Sequence, residues 1–188
     1  ASDKDFNGNL TCFGYDLARN LETSRVEGLS GTGTCAAQVT TSSTRKYTTE
    51  WHPQWRVPKR IAEPLRITTF GYHGEPGVSC AGAGASTALL CARTVQATTD
   101  ADGSAGFGAT VDGASRTWSY TYNANGQVLT IDGPRTDVAD LTTYAYYAAD
   151  DPGGNYRAGD LASITNALGQ ATGFPGYDGA GRLKRIVD

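Results

Sequence analysis

The sequence predicts an all-β protein made of repeated antiparallel β-hairpins. Three observations carry that expectation. A turn phrase led by an aromatic residue recurs along the chain. The segments flanking it alternate apolar and polar residues with period two, as half-buried strands do. Finally, 24 Gly, 24 Thr and no Met among 188 residues favour strands and turns over helices.

The clearest copy of the phrase is Tyr177-Asp178-Gly179-Ala180-Gly181-Arg182-Leu183. A second is Tyr122-Asn123-Ala124-Asn125-Gly126-Gln127-Val128, and a third is Tyr15-Asp16-Leu17-Ala18-Arg19-Asn20-Leu21. Asp178 and Gly181 fit the first and fourth positions of a type I turn. The carboxylate accepts a backbone N–H two residues on, and Gly tolerates the left-handed conformation that follows. Such a turn joins two strands and adds a bulge. Asn123 and Gly126 repeat the chemistry.

Taken in order, the remaining elements fit the same frame. Lys4-Asp5-Phe6-Asn7-Gly8-Asn9-Leu10 opens the chain with a degenerate copy. The strand-like Lys46-Tyr47-Thr48-Thr49-Glu50 leads into Trp51-His52-Pro53-Gln54-Trp55-Arg56-Val57, where Pro53 fixes φ for the second turn position. Ile67-Thr68-Thr69-Phe70 leads into Tyr72-His73-Gly74. Trp118, Tyr120 and Tyr122 alternate with Thr117, Ser119 and Thr121, and beyond the turn Leu129 and Ile131 flank Thr130. Leu141-Thr142-Thr143 precedes Tyr144 and Tyr146 in the same manner. The step from Trp51 to Tyr72 is 21 residues and from Leu161 to Leu183 it is 22, so the unit is short and carries insertions. The chain reads as a single array over 1–188, with irregular insertions at about 28–45 and 78–115. Ser86-Thr87-Ala88-Leu89-Leu90 is allowed one helical turn at most.

These phrases resemble the tyrosine–aspartate (YD) repeats of the Rhs family of bacterial proteins, which also occur in toxin-complex shells and teneurins. The family phrase, Tyr-x-Tyr-Asp-x-x-Gly-Arg-Leu, is matched from its second Tyr onward by Tyr177 to Leu183. Tyr120-Thr121-Tyr122-Asn123 matches its opening, with Asn for Asp and Gln127 for Arg. Asn166-Ala167-Leu168-Gly169-Gln170 is similar to the intervening turn of each unit. The resemblance implies hairpins laid side by side in a twisted, spiralling sheet, an open segment of a shell or solenoid. In the family that sheet can close around a toxin, but this chain has too few repeats to close a shell alone.

Composition narrows the function further. A net charge of −3 with dispersed Lys and Arg argues against a nucleic-acid partner. The densest basic region, Arg56, Lys59, Arg60 and Arg66, reads as a solvated, edge-protecting strand face. No apolar run approaches about twenty residues, the length of a membrane span. Neither end carries a polar capping unit and no signal peptide is evident. The chain is therefore read as a segment or proteolytic product of a longer polypeptide, extracellular or on the bacterial surface.

Cys12, Cys35, Cys80 and Cys91 are even in number and lack zinc-knuckle spacing. Cys80 and Cys91 bracket the small-residue loop Ala81-Gly82-Ala83-Gly84-Ala85, which a disulfide would hold. Cys12 with Cys35 would then staple the first insertion. Four buried free thiols are the alternative.

Candidates for chemistry are sparse, and no cofactor or metal is expected. His52 and His73 both occupy the Asp position of a turn phrase and lie in no nucleophile motif, so no enzyme is expected. Asp100-Ala101-Asp102-Gly103 resembles the start of a calcium loop but lacks its later carboxylates, and reads as an acidic hairpin turn. Asp150-Asp151-Pro152-Gly153-Gly154 resembles part of the Rhs cleavage phrase, yet Asn155 stands where that phrase has Leu; it reads as a loop. Trp51, Trp55 and Tyr72 are candidate glycan-stacking aromatics, although alternating aromatics in a repeat sheet normally pack on the next repeat.

The leading expectation is a non-enzymatic structural segment whose unpaired first and last strands pair with copies of itself or with flanking repeats of a longer precursor. Head-to-tail pairing of that kind gives a fibre. The alternatives are a shell fragment of a polymorphic-toxin carrier and a carbohydrate-binding surface module.

Overall fold

The computed structural model describes residues 1–31, 34–35, 40–84 and 86–188. In it the chain forms one open sheet of 13 antiparallel strands. They are β1 (Ser2–Lys4), β2 (Leu10–Asp16), β3 (Leu21–Leu29), β4 (Arg45–Trp51), β5 (Pro58–Glu63), β6 (Arg66–Tyr72) and β7 (Leu90–Thr98). The order continues with β8 (Val111–Tyr122), β9 (Val128–Asp132), β10 (Thr142–Tyr146), β11 (Leu161–Thr165), β12 (Ala171–Tyr177) and β13 (Leu183–Val187). Each strand lies beside its sequence neighbours without crossover. The chain divides into two compact units, one of Ala1–Gly71 with Arg93–Arg116 and one of Tyr72–Ala92 with Thr117–Asp188.

Successive connections of an antiparallel meander fall alternately at its two margins. Within each unit, one margin receives the strands that end on an aromatic: β2 at Tyr15-Asp16, β4 at Trp51, β6 at Tyr72, β8 at Tyr122, β10 at Tyr146 and β12 at Tyr177. The other margin carries the connections after β1, β3, β5, β7, β9 and β11. The register slips by one residue beside Tyr15, Trp51, Tyr122, Tyr146 and Tyr177. Tyr122 pairs with Val128 while Thr121 pairs with Thr130, so Leu129 is the extra residue of a bulge. A bulge at these five aromatic turns increases local twist. Pro175, within β12, lies where the ladder is also interrupted, between Gly173 and Gly176.

Buried apolar side chains are few. In the first unit they are Cys12, Leu21, Val26 and Ala62, with the polar Thr44, His52, Thr68 and Thr98 buried among them. Cys12 sits opposite Val26 in the β2–β3 pair and is disulfide-bonded to Cys35. Closing 23 residues in this way is worth about 3 kcal/mol in the chain-entropy description. In the second unit the core is Cys80, Ala83, Cys91 and Tyr122, and Cys80 is bonded to Cys91.

One expectation needs correction. Residues 78–115 are not an irregular insertion, because they hold β7 and the start of β8. The Tyr72–His73 phrase is separated from β7 by a long connection, and the turn after β7 has other chemistry. After β7 the loop turns on Gly103, at φ 77°, where a Cβ would lie 2.1 Å from the Lys46 carbonyl oxygen. Its carbonyls at Asp100 and Asp102 accept the N–H groups of Leu65 and Lys46. The one short helix described is a 3₁₀ turn at Gly106–Gly108; Ser86–Leu89 is irregular and Leu90 begins β7, within the limit of one helical turn set for that segment. The Asp16 phrase does not place its left-handed residue where Gly181 does. Arg19 occupies that position, where its Cβ disfavours positive φ, and the left-handed conformation falls instead on Asn20, which tolerates it, at φ 51°. For the insertion at 28–45, β3 extends to Leu29 and β4 begins at Arg45. Residues 32–33 and 36–39 of it, and Ala85 of the small-residue loop, lie outside the described residues.

The β5–β6 connection is a two-residue turn, Pro64-Leu65, closed by the Glu63–Arg66 pair. Leu65 has φ 62° and is 56% exposed. A leucine there carries a conformational penalty of about 1–2 kcal/mol that Asn largely avoids, and exposure means little burial is lost. Leu65→Asn is therefore expected to raise the stability of the chain by about 0.5–1 kcal/mol, read as a higher urea midpoint at unchanged slope.

Candidate functional site

The margin of aromatic-led turns is where the chain's distinctive side chains gather. The turn chemistry itself is shared by both margins. At Asp178, the Gly181 N–H donates to the Asp178 carbonyl at 2.9 Å and the Asp178 N–H to the Arg182 carbonyl at 2.9 Å. Asn123, Asn166 and Asp5 make the same two bonds with the Gly and the residue that follow. In all four the Gly has φ between 76° and 82°, a conformation only Gly adopts without cost.

The fourth residue after the turn leader completes the motif. Arg182 donates Nε to Asp178 Oδ2 at 2.7 Å, and Asn9 donates Nδ2 to Asp5 at 2.9 Å. Where the leader is Asn, the follower is Gln: Asn123 to Gln127 and Asn166 to Gln170, both at 2.8 Å. Asp151 and Asn155 pair likewise at 2.6 Å in the Asp150–Gly154 loop. An acceptor-only carboxylate thus faces a donor, and an amide faces an amide.

What separates the aromatic margin is the residue before the leader. The Tyr122 hydroxyl, at the end of β8, donates to the Leu90 carbonyl at the start of β7, at 2.7 Å. Tyr146, ending β10, donates to Val128 at the start of β9, at 2.9 Å. Tyr177, ending β12, donates to Leu161 at the start of β11, at 2.7 Å. Trp51, ending β4, does the same with its indole N–H, to Glu22 on β3 at 2.7 Å. Each aromatic reaches back one strand and fastens its hairpin to the one before. Tyr15, preceded only by the three-residue β1, is 40% exposed and lies 6.4 Å from the Phe13 ring.

Burial raises the phenol pKa of Tyr122, with Tyr120 adding to it, and raises those of Tyr146 and Tyr177 in the same way. Tyr72, only 6% exposed, is pushed up to about 12 by burial and by the Glu75 carboxylate. These hydroxyls remain donors well into the alkaline range. The turn carboxylates move the other way. Bonds from the Arg182 backbone and side chain lower Asp178; those from Asn155 lower Asp151, and those from Asn9 lower Asp5.

Adjacent turns also touch along the margin. Arg56 donates to the Arg19 and Asn20 carbonyls, and Arg19 to the Trp55 carbonyl. Gln127 donates to the Gly159 carbonyl at 2.7 Å. A cleft of about 260 Å³ lies between the Asp150–Asp160 loop and the Tyr177–Gly181 turn. Its carboxylates already accept backbone or side-chain hydrogens: Asp150 from Ala158, Asp151 from Asn155, Asp160 from Arg157 and Asp178 from Arg182.

The histidines act as turn leaders. His52 Nδ1 accepts the N–H groups of Gln54 and Trp55, and its ring stacks on Trp55 with centroids 4.0 Å apart. His73 Nδ1 accepts the Cys80 N–H at 3.1 Å. The candidate glycan-stacking aromatics divide between the two compact units. Tyr72 is buried in the second compact unit, whereas Trp51 and Trp55 belong to the first, with one indole N–H bonded and one ring face covered by His52. In the basic cluster, Arg60 pairs with Glu50 and lies over the Phe107 ring, and Arg66 pairs with Glu63. In the acidic turn, Asp102 and Asp100 accept the Ser104 and Ala105 N–H groups. The acceptors of the aromatic bonds were invisible in the sequence because they are carbonyls. Their only trace is that an apolar residue, Leu90, Val128 or Leu161, begins the strand that receives the bond.

Residues 156–188 match the family model described as RHS Repeat. The chain carries an RHS repeat. That segment spans β11 to β13 and includes the Asn166 and Asp178 turns and the Tyr177–Leu161 bond. RHS repeats are structural, shell-like elements found in secreted and cell-surface proteins. A comparison with curated proteins finds no match. Among the described residues, no helix is long and apolar enough to cross a membrane.

Removing the Tyr122 hydroxyl leaves the Leu90 carbonyl without that donor in a part-buried setting. Tyr122→Phe is expected to cost about 1–2 kcal/mol, and Tyr177→Phe, at a wetter site, less; chemical denaturation of both variants gives the ranking. A second outcome concerns pH. Because the folded-state pKa of Asp178 is depressed, its stabilising effect is present above the ordinary carboxylate value of 3.8 and is lost as pH falls through the lower folded value. The Arg182 amide resonance should therefore titrate with a midpoint below 3.8, whereas the Gln127 amide, bonded to neutral Asn123, should show no such step.

Proposed function

We propose that this chain is a non-enzymatic structural segment, secreted or displayed at the cell surface, that self-associates edge to edge. The observation that supports this reading is the open sheet, whose outermost strands each have one neighbour. All five residues of β13 are exposed, with Leu183 at 43% and Ile186 at 58%, and all three of β1 are exposed. A strand in that position offers unpaired N–H and C=O groups to another strand. The last strand of one copy meets the first strand of the next in a contact that differs on its two sides. Repetition of such a contact gives a filament unless its rotation closes a ring. The aromatic bonds bear on this reading because they fasten successive hairpins into one array whose two end strands remain its edges.

Light scattering after size exclusion and electron microscopy of the chain test it. Oligomers or fibres that grow with concentration are expected, and Ile186→Lys, which places a charge on the outer strand, should reduce them without altering the circular dichroism. A wild-type chain that stays monomeric at high concentration overturns self-association and leaves a wall segment of a larger RHS shell as the better account.

A further inference from the structure

Behind the Tyr72–His73 turn, three metal-ligating side chains converge. A ring nitrogen of His73 and the sulfurs of Cys80 and Cys91 lie within 4.8 Å of one another. The two sulfurs are joined, so neither carries a hydrogen, and their 3.8 Å approaches to the Leu89 carbonyl oxygen are packing contacts. The imidazole is already oriented. Its Nδ1 accepts the Cys80 N–H at 3.1 Å, which places the ring proton on Nε2, 3.3 Å from the Gly84 carbonyl oxygen. A backbone carbonyl holding Nε2–H is the supporting contact of a metal-ligating histidine, and Nδ1, whose lone pair now accepts the Cys80 N–H, is the nitrogen left for a cation. Cys80 and Cys91 are 5% and 7% exposed, and Ala83, Tyr122, Val78, Leu89, Tyr120 and Val128 pack around them. That apolar wall keeps competing water away from the sulfurs.

We propose that, when the Cys80–Cys91 bond is reduced, His73, Cys80 and Cys91 form a three-ligand site for a zinc-type divalent cation, with a fourth position for water. Two thiolates and one imidazole are a recognised donor set for that ion. Zn–S bonds of about 2.3 Å in tetrahedral geometry set the two sulfurs about 3.8 Å apart, a separation that side-chain rotation within the present cluster provides. With a phosphine as reductant, phosphorus gives up an electron pair and takes the oxygen of one water. Each sulfur keeps one of that water's hydrogens. Cation binding then releases both thiol protons, while His73 binds neutral and exchanges its Cys80 N–H contact for the metal. Disulfide and cation use the same sulfurs and exclude one another. The loop from Cys80 to Cys91 is thus fastened by metal under reducing conditions and by sulfur under oxidising ones. Either fastening holds Ala81, whose carbonyl accepts the Tyr122 N–H at 2.9 Å.

Cobalt(II) titration of the full chain, oxidised and phosphine-reduced, tests this. The reduced chain should take up one Co²⁺ with thiolate-to-metal absorption in the near ultraviolet and a tetrahedral visible spectrum, and the oxidised chain none. Cys80→Ser with Cys91→Ser should abolish the absorption, Cys12→Ser with Cys35→Ser should leave it, and His73→Gln should weaken binding about tenfold or more. Absence of the absorption in the reduced parent overturns the proposal. So does its survival in the Cys80/Cys91 variant, or binding by His73→Gln as tight as the parent's, which would mark thiols of an unfolded chain. If the Cys12/Cys35 variant does not fold, the Cys80/Cys91 and His73 variants decide alone.

Discussion

The bond from an aromatic at the end of one strand to the carbonyl that begins the strand before it is the constraint on which this sheet depends. Turn chemistry alone makes hairpins, and an isolated hairpin is marginal in water. Tyr122, Tyr146, Tyr177 and Trp51 each convert a hairpin into part of an array by satisfying a carbonyl at the mouth of the preceding turn. The ring supplies area and the polar tip supplies direction, a combination Phe lacks. The bulge beside each aromatic belongs to the same device, since it adds the twist with which the ring passes over its neighbour.

Two disulfides reinforce this array where its aromatic bonds are interrupted by long connections. Cys12–Cys35 ties β2 to the loop after β3, and Cys80–Cys91 closes the excursion between β6 and β7. Few apolar residues are buried, and Val26 and Cys12 are the most deeply buried of them. Cohesion therefore rests on ladders, turn side chains and covalent staples more than on a thick interior. In the second unit the staple and the aromatic device meet, because Tyr122 packs against the Cys80–Cys91 pair and Gly82 lies against its carbonyl, leaving no room for a Cβ.

Much of this was legible. The phrases at Asp178 and Asn123 announce their hairpins because Gly181 and Gly126 are needed for positive φ and the leading side chain caps the turn. Period two located β8 and β9 from Trp118 to Ile131. The structure also joins Cys12 to Cys35 and Cys80 to Cys91, the pairing that follows if each insertion carries its own staple. What stayed hidden has physical reasons. β7, with Arg93, Thr94 and Gln96 among small residues, has weak alternation and stands far from the Tyr72–His73 turn phrase that precedes it. The displaced turn at Asn20 follows from Arg19, a substitution whose effect is steric and local. Burial of Tyr72 was unreadable because an aromatic at a strand end looks the same whether it meets solvent or the Glu75 turn.

The aromatic bonds, like the rungs of the backbone ladder, run across the strands between immediate neighbours. Force applied along a strand is shared by every rung of its ladder at once. Force applied across the strands opens a ladder rung by rung from its end, like a zip. The phenol and indole donors sit at those ends, on the first rungs such a force would reach. The chain is thus reinforced in its weaker mechanical direction, at the points where peeling would begin.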